Sequence, residues 1–343
     1  MKLTESDRVA ILLHEGIGSR GGKTGLAFLR YSEANVVAVI DRDRAGESLP
    51  QLTRIPRDIP IVASMEGALA YNPNVLLIGI APSGGALPEE WLQEVKQAIL
   101  AGLSVMNGLH TPMAGLVANL RENQWIWDIR QEPKGLSIGS GRAKNLTCKR
   151  ILTVGTDMAI GKMSTGLELR KVAKKREIST RFLATGQGGL AIAGEGIPLD
   201  AIRVDFAAGA VEKATMELGS QCDLLLIEGQ GSLLHPGSTA TLPLIRGSQP
   251  TGLILAHRAG QTAIVNCPDI LIPPLPEVIA AYECFTRAGG AFSQGKVKAI
   301  ALNTFHLEEK EAKEAISTVE NETGLPCTDA VRLGADLLLD AVI

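Results

Sequence analysis

A short glycine-containing segment, residues 151–165 (ILTVGTDMAIGKMST), constrains the fold of this chain more than any other feature. A β-branched apolar run ends at Gly155, and after a short loop Gly161 and Lys162 open a stretch compatible with a helix. A strand, a glycine loop and a helix in this order direct backbone N–H groups and the positive end of a helix toward one place, which suits a phosphate chain. The segment therefore predicts a phosphate-binding loop in a parallel α/β sheet.

This loop departs in two ways from the Walker A pattern G-x-x-x-x-G-K-[ST]. It is one residue longer, and Met163 stands where a hydroxyl side chain would ligate the magnesium ion of a nucleoside triphosphate. ATP with Mg²⁺ remains possible as the ligand if Ser164 supplies the missing hydroxyl. The residues that we predict to bind the cofactor here are Gly155, Thr156, Asp157, Gly161, Lys162 and Ser164.

Apolar strand patterns alternate with helical patterns along both halves of the chain, which indicates an α/β protein with mainly parallel sheets. We predict a Rossmann-like N-terminal domain over residues 1–135, in which residues 114–123 form one of the helices. Residues 136–148 are glycine-rich and polar without periodicity, so we interpret them as a linker. Residues 149–343 are predicted to form a P-loop NTPase-like α/β domain.

The composition argues against several classes of partner. Aromatic residues make up 3% of the chain and the net charge is −3 with both signs interspersed, so we expect neither base stacking nor a basic face for nucleic acid. The N-terminal residues carry no apolar signal segment, and the apolar runs are too short to span a bilayer. We therefore expect a cytoplasmic homo-oligomer that acts on a small molecule, without a nucleic-acid or membrane partner.

Two further candidate residues follow the apolar strand at 223–227. Glu228 closes this strand as a Walker B carboxylate does, and such a carboxylate holds Mg²⁺ or a water molecule near the phosphates. His235 lies in the same loop and could act as a general base or contact substrate, although a loop histidine can equally have no role. We take Glu228 and His235 as the catalytic candidates, and Glu228 as a metal ligand only if Mg²⁺ is used.

Polar residues also follow other predicted strands, whose carboxyl ends should line the same crevice. Arg258 could bind a substrate carboxylate with both arms of its guanidinium, or be a solvated loop residue. Asn303 either reads the edge of a nucleotide base or is a turn residue. We predict Gln187, Gln230 and Arg258 to bind substrate and Asn303 to bind the cofactor.

The first half of the chain contains a second glycine loop, residues 14–25 (HEGIGSRGGKTG), after a predicted strand. Asp41 ends the next strand, where a dinucleotide-binding fold places its ribose-binding acid. We interpret the loop as an imperfect fingerprint, because Gly16 and Gly18 are followed by a Gly21–Gly22 pair, and we expect one phosphate site rather than two. Nucleotide or CoA binding by this domain remains the alternative, with residues 82–85 and 107–110 on the same rim.

The combination of motifs resembles a bacterial P-loop family. GTDMAIGK resembles the loop of dethiobiotin synthetase, and the wider set is similar to the family that contains D-glutamate N-acetyltransferase: VGTDMAIGKMST, ATGQGG, DFAAGAVE, IEGQGSLLHP, LNTFHL and GLPCTDAVRLGA. The resemblance covers essentially the whole chain and implies acetyl transfer from acetyl-CoA to the amine of D-glutamate. Gly188 departs from a TGQTG-like loop, which leaves the amino-acid specificity open. An ATP-dependent ligase or kinase of the dethiobiotin synthetase type, or a nucleotide-binding regulatory protein without catalysis, are the alternatives.

Overall fold

The computed structural model describes residues 2–82, 85–288 and 293–343 of the chain. It divides into two compact units, the first formed by Met1–Gln131 with Gln187–Pro198 and the second by Glu132–Gly186 with Leu199–Ile343. Within the described residues, each unit contains one six-stranded parallel sheet. The predicted α/β class with mainly parallel sheets is therefore confirmed. Ser83 and Gly84, in the predicted rim segment 82–85, lie outside the described residues.

The elements follow the alternation of strands and helices that the sequence predicts. The strands are β1 (Arg8–Leu12), β2 (Asn35–Ile40), β3 (Ile61–Val62), β4 (Val75–Ile78), β5 (Ser104–Asn107), β6 (Ile126–Asp128), β7 (Lys149–Gly155), β8 (Thr180–Leu183), β9 (Leu224–Ile227), β10 (Gly252–Arg258), β11 (Ala263–Ile264), β12 (Cys267–Leu271), β13 (Lys296–Asn303) and β14 (Cys327–Thr328). The helices are α1 (Lys23–Tyr31), α2 (Leu49–Thr53), α3 (Met65–Leu69), α4 (Glu89–Ala101), α5 (Lys162–Lys175), α6 (Gln187–Ala193), α7 (Val204–Gly219), α8 (Thr241–Ser248), α9 (Leu275–Arg287), α10 (Glu309–Thr323) and α11 (Asp336–Val342). None of the helices in the described parts of the chain is long and apolar enough to cross a membrane.

The first unit has the strand order β3-β2-β1-β4-β5-β6. This is the order of a doubly wound dinucleotide-binding fold, in which the chain reverses direction across the sheet between β1 and β4. Both strands are buried almost throughout, because helices cover a parallel sheet on both faces. Their carboxyl ends are therefore the place where a ligand of this unit would bind.

The helix predicted over residues 114–123 is wrong, because this segment forms turns. The carboxylate of Asp128, at the end of β6, accepts hydrogen bonds from the backbone N–H groups of Met113 and Ala114. Gly115 then adopts a φ of 99°, a left-handed conformation that does not continue a helix. Hydrogen bonds from a distant side chain thus replace those that a helix would supply.

The second unit has the strand order β14-β13-β10-β7-β9-β8, with β7 inside the sheet between β10 and β9. A small antiparallel pair, β11 and β12, follows β10. Since all six strands of the main sheet run parallel, the residues that follow β7, β9, β10 and β13 come together at one edge. That edge carries most of the candidate residues.

Residues 136–148, predicted as a linker, belong to the second unit and are fixed against α7. The carboxylate of Glu212, which is fully buried, accepts hydrogen bonds from the backbone and side chains of Ser140 and Arg142. Gly209 is required in α7 because a Cβ atom there would lie 1.7 Å from the carbonyl oxygen of Ser137. The low apolar content of this segment therefore reflects polar packing on a helix.

Candidate active site at the phosphate loop

The segment between β7 and α5 forms the predicted glycine loop. Gly161 is the N-cap of α5 with a φ of 117°, and Ala159 has a φ of 55°. A residue other than glycine in this left-handed region costs about 1–2 kcal/mol, so the surrounding structure holds the loop in its shape. The first turn of α5 contains no acidic residue, and its positive end therefore remains available to an anion.

Lys162, the first residue of α5, is only 6% exposed. Its ammonium donates a hydrogen bond of 2.6 Å to the carbonyl oxygen of Asp157 in the same loop. Burial lowers the pKa of Lys162 to about 8, against the opposing effect of the carboxylates of Asp157 and Glu228. The lysine is thus a desolvated cation that a bound phosphate would stabilise in its charged form.

Two glycines make room for this lysine at the ends of β7 and β9. A Cβ atom at Gly155 would lie 3.2 Å from the Nζ atom of Lys162, and one at Gly229 would lie 3.1 Å from its Cδ atom. Gly229 is fixed further by a 2.9 Å hydrogen bond from its N–H to the hydroxyl of Thr153. The Lys162 side chain therefore lies against the carboxyl ends of both strands. A Cβ atom would also lie 1.6 Å from the carbonyl oxygen of Thr153 at Gly229 and 2.8 Å from Cδ1 of Ile160 at Gly155, so both positions require glycine.

Glu228 follows β9 directly and is 5% exposed. Among the residues that the structure describes, both hydrogen bonds to its carboxylate go to Oε2, from the N–H groups of Thr185 at 2.8 Å and Gly186 at 3.1 Å. Burial raises the pKa of Glu228 to about 7, although these two N–H groups and Lys162 lower it. A carboxylate with a pKa near neutrality is suited to accept and release protons.

The side chains of Thr156 and Asp157 bond to residues outside the loop and hold it in place. The Thr156 hydroxyl lies 2.9 Å from Nδ1 of His257, whose pKa burial lowers to about 4. Oδ2 of Asp157 accepts hydrogen bonds from the Gln261 amide at 2.6 Å and from the N–H of Val265 at 2.8 Å. These side chains give the loop its shape, and their predicted contact with a cofactor stays a prediction.

Asn303 and Arg258 lie against the same loop, at the ends of β13 and β10. The Asn303 amide donates to the carbonyl oxygen of Ile160 at 3.1 Å, and its Oδ1 accepts from the N–H of Phe305 at 3.1 Å. The Arg258 guanidinium is half-buried and donates to the carbonyl oxygen of Ala159 at 3.4 Å. The structure thus brings together residues predicted from separate strands.

The remaining candidates lie in different surroundings. Gln230 is half-buried, and its amide packs on Gly186, where a Cβ atom would lie 2.3 Å from Nε2. His235 is half-buried, with Nδ1 accepting a 3.0 Å hydrogen bond from the N–H of Gly237. Ser164 is half-buried in the first turn of α5. Gln187 begins α6 and belongs to the first unit.

Tyr282 is a residue of this site that the sequence did not indicate. It lies on α9 and is 1% exposed, and its hydroxyl donates to the carbonyl oxygen of Gly155 at 2.7 Å. The same hydroxyl accepts a 3.2 Å hydrogen bond from the N–H of Leu233. The spacing of Leu275, Val278 and Tyr282 indicates a buried helix face, but nothing in it identifies the partner of the hydroxyl.

An open cavity of about 470 Å³ adjoins the residues that support the phosphate loop. His257 and Gln261 contribute polar groups to its wall, and most of the remaining wall is apolar, including Leu275 and Val319. The Oε1 atom of Gln261 is buried without a hydrogen-bond partner among the described residues. The second unit therefore offers a cavity of ligand size next to the residues that support its glycine loop.

Comparison with known proteins gives consistent matches in both halves of the chain. Residues 42–132 match a family model described as "Domain of unknown function (DUF1611_N) Rossmann-like domain", and residues 137–339 match "Domain of unknown function (DUF1611_C) P-loop domain". These matches confirm the predicted Rossmann-like and P-loop parts. A crystal structure of a DUF1611 family protein from Anabaena variabilis ATCC 29413 is 61% identical, with a TM-score of 0.94 and coverage of 98% of this chain and 99% of that one.

Two curated proteins with the name D-glutamate N-acetyltransferase are similar to this chain. The protein from Tritonibacter scottomollicae is 37% identical over 285 residues, which cover 81% of this chain and 84% of that protein. The protein from Pseudoalteromonas sp is 33% identical over 278 residues, which cover 79% of this chain and 82% of that protein.

Proposed function

The chain belongs to the DUF1611 family, and from this membership and the geometry of the phosphate loop we propose that it is an acetyl-CoA-dependent N-acetyltransferase of D-glutamate. The observation that carries the proposal is the burial of Glu228, directly after β9, and of Lys162, which begins α5 after the loop that follows the adjacent strand β7. Glu228 can take a proton from an amine, and Lys162 can bind the phosphates of the acyl donor.

The loop between Gly155 and Lys162 is suited to the pyrophosphate of acetyl-CoA. It combines a buried ammonium, the uncompensated N-terminus of α5 and a fixed left-handed backbone. Met163 supplies no oxygen for a magnesium ion, and acyl transfer requires none from this position. On binding, the ammonium of Lys162 exchanges its hydrogen bond to Asp157 for phosphate oxygens.

Glu228 is the proposed general base. Its Oε1 takes a proton from the ammonium of D-glutamate, and the free amine attacks the thioester carbonyl carbon of acetyl-CoA. A C–N bond forms to give a tetrahedral intermediate, and the C–S bond then breaks. The attacking nitrogen gives up its second proton and the departing thiolate takes up one proton, so that the products are the amide and the free thiol of CoA. The N–H groups of Thr185 and Gly186 already hold Glu228, so other backbone N–H groups must stabilise the oxyanion.

An ATP- and Mg²⁺-dependent ligase or kinase is the second candidate. The observation that favours it is the position of Glu228 at the end of β9, next to β7, where a Walker B carboxylate holds the metal ion. Ser164, in the first turn of α5, would then supply the hydroxyl that Met163 lacks. His235 as an alternative base, a homo-oligomeric state and a cytoplasmic location stay predictions.

The test is the release of free CoA from acetyl-CoA in the presence of D-glutamate, L-glutamate or D-aspartate, with Mg-ATP binding measured in parallel. We expect release with D-glutamate, and a drop in kcat of about 10²–10⁴-fold for Glu228→Gln, which keeps the shape of the side chain without its basicity. Glu217→Gln, at an exposed position of α7, is the matched control and should retain full activity.

Two results would contradict the proposal. Folded protein that binds Mg-ATP but not acetyl-CoA would favour the ligase or kinase. Full activity of the Glu228→Gln variant would leave the acetyltransferase intact but remove Glu228 as its base, and His235→Gln would be the next variant to assay.

A further inference from the structure

The glycine loop of the first unit has the complete spacing of a dinucleotide-binding fingerprint. Gly16, Gly18 and Gly21 satisfy G-x-G-x-x-G, and Asp41 follows Gly21 at the distance of about 20 residues that this fingerprint requires. The interpretation of this loop as imperfect was therefore wrong, because Gly21 already occupies the third position. The pattern lies between a buried strand and a helix, which is the context that gives it meaning.

The backbone of this loop has the corresponding conformation. Gly18 has a φ of 84° with open space around the position of a Cβ atom. In α1, the N–H of Gly25 donates a 2.9 Å hydrogen bond to the carbonyl oxygen of Gly79, and a Cβ atom at Gly79 would lie 2.8 Å from the Cα atom of Gly25. The start of α1 therefore packs closely on the end of β4, where the sheet changes direction.

Asp41, directly after β2, has an unused acceptor. The residue is 1% exposed, and Oδ1 accepts a 3.2 Å hydrogen bond from the N–H of Asp43. Oδ2 is buried without a hydrogen-bond partner among residues 2–82, 85–288 and 293–343. Burial raises the pKa of this carboxyl, against the lowering effect of the backbone of Asp43 and of Glu15, the residue before Gly16. A buried polar atom without a partner is costly, so its retention calls for an explanation.

The surroundings of Asp41 hold it at the loop. Nδ1 of His14 accepts a 3.1 Å hydrogen bond from the N–H of Arg42, so the other ring nitrogen donates to Oε1 of Glu94 at 2.8 Å. Oε2 of Glu94 accepts a 2.6 Å hydrogen bond from the N–H of Met65. The ends of β1 and β2 are thereby tied to α3 and α4, while no ion pair within the described residues satisfies Oδ2 of Asp41.

We propose that the first unit binds a nucleoside diphosphate whose ribose has a free 2′,3′-diol, with NAD as the representative ligand. The diol hydroxyls donate to Asp41, and the pyrophosphate lies on the Gly16–Gly21 loop at the start of α1. A ribose phosphate beside this carboxylate would be repelled, so NADP and CoA are excluded from the site. The proposal concerns a site other than the acetyl-CoA loop and does not depend on the acetyltransferase activity.

Titration calorimetry of the full chain with NAD⁺, NADH, ADP, NADP⁺ and CoA tests this site. We expect NAD⁺ or NADH to bind at least about tenfold more tightly than NADP⁺, because one repelled phosphate is enough to produce such a ratio. Binding of NAD⁺ should persist in protein saturated with acetyl-CoA. The affinity for ADP shows how much of the binding comes from the adenosine diphosphate that ADP and NAD⁺ share. The difference between the two affinities then shows how much comes from the second nucleoside of NAD⁺.

The matched variants are Asp41→Asn and Asp58→Asn, the second at an exposed position of the same unit. Asparagine keeps the oxygen that accepts from Asp43, so the fold should be retained, while NAD⁺ affinity falls about tenfold or more and acetyl-CoA affinity stays unchanged. Asp58→Asn should change neither affinity. Failure of NAD⁺, NADH and ADP to bind wild-type protein, equal binding of NADP⁺, or competition between NAD⁺ and CoA would each overturn the proposal, whatever the outcome of the acetyltransferase assay.

Discussion

The two units carry glycine loops that look alike in sequence and differ in their surroundings. In both, a lysine begins the helix after the loop, and a buried acid follows the strand that pairs with the loop strand. Lys162 is buried across two strand ends, with Glu228 among the charges that act on it. Lys23 is exposed, and Asp41 faces backbone groups and the His14 ring.

This difference indicates which groups around a glycine loop are suited to binding and catalysis. In the second unit, a buried lysine near a buried carboxylate is the arrangement that we propose for binding a phosphate chain and transferring a proton. In the first unit, glycines with an open left-handed turn and a carboxylate with an unused oxygen fit a ribose and a pyrophosphate. The dipeptide Gly-Lys is common to both loops and does not distinguish them.

A change in pH should affect acetyl transfer through Glu228 and Lys162 of the second unit. The pKa of Glu228 is raised to about 7, so its basic form is lost as the pH falls, and kcat/KM should drop about tenfold per unit below that value. The pKa of Lys162 is lowered to about 8, so its cation is lost above that pH and donor affinity should weaken. A rate profile of wild type and Glu228→Gln measures this, because the variant should lack the acidic limb. An acidic limb that persists unchanged in the variant would assign the base to another residue.

Removal of each lysine in turn should show which of the two loops binds acetyl-CoA. Lys162→Met keeps an apolar stem but removes a charge-assisted contact of about 2–3 kcal/mol, so the Kd for acetyl-CoA should rise about tenfold to a hundredfold. Lys23→Met is the control and should leave this Kd unchanged. If only the first-unit variant weakens acetyl-CoA, the donor site has been assigned to the wrong unit.

Removal of Lys162 should also affect the stability of the fold. Removal of a lysine from an open loop would leave the stability of the fold unchanged, but Lys162 is buried. The variant removes a desolvated charge and leaves the carbonyl oxygen of Asp157 without its hydrogen bond, two effects of opposite sign. Acetyl-CoA affinities should therefore be compared at a temperature where both variants are fully folded.

The glycines that shape the two loops should affect the stability of the fold. At Gly229, a Cβ atom would lie 1.6 Å from the carbonyl oxygen of Thr153. At Gly25, it would lie 2.7 Å from a methyl group of the flexible Leu13 side chain. At Gly18 it would meet open space, so only the positive φ is unfavourable. Urea denaturation should give losses above about 3 kcal/mol for Gly229→Ala, about 1–3 kcal/mol for Gly25→Ala and about 1 kcal/mol for Gly18→Ala. The reverse ranking would show that close backbone packing does not fix these loops.

Much of the fold follows from the sequence because apolar runs and turn residues act locally. The alternation of strand and helix patterns predicts the parallel α/β architecture that both units have. It fails at residues 114–123, where Asp128 of a later strand supplies the hydrogen bonds. It also gives no sign that residues 136–148 are fixed by Glu212, a residue about 70 positions further along the chain.

The sequence by itself determined which residues are candidates for the sites, because their spacing relative to predicted strands can be read from it. These candidates are the Gly155–Lys162 loop, Glu228 at a strand end, and the glycines and the acid of the first unit. Only the tertiary structure decided how these groups behave. The burial that moves the pKa values of Lys162 and Glu228 toward neutrality comes from segments distant in sequence, and so does the Tyr282 hydroxyl that bonds Gly155 across 127 positions. Desolvation and hydrogen bonding depend on what surrounds a group in space, and local sequence patterns do not specify those neighbours.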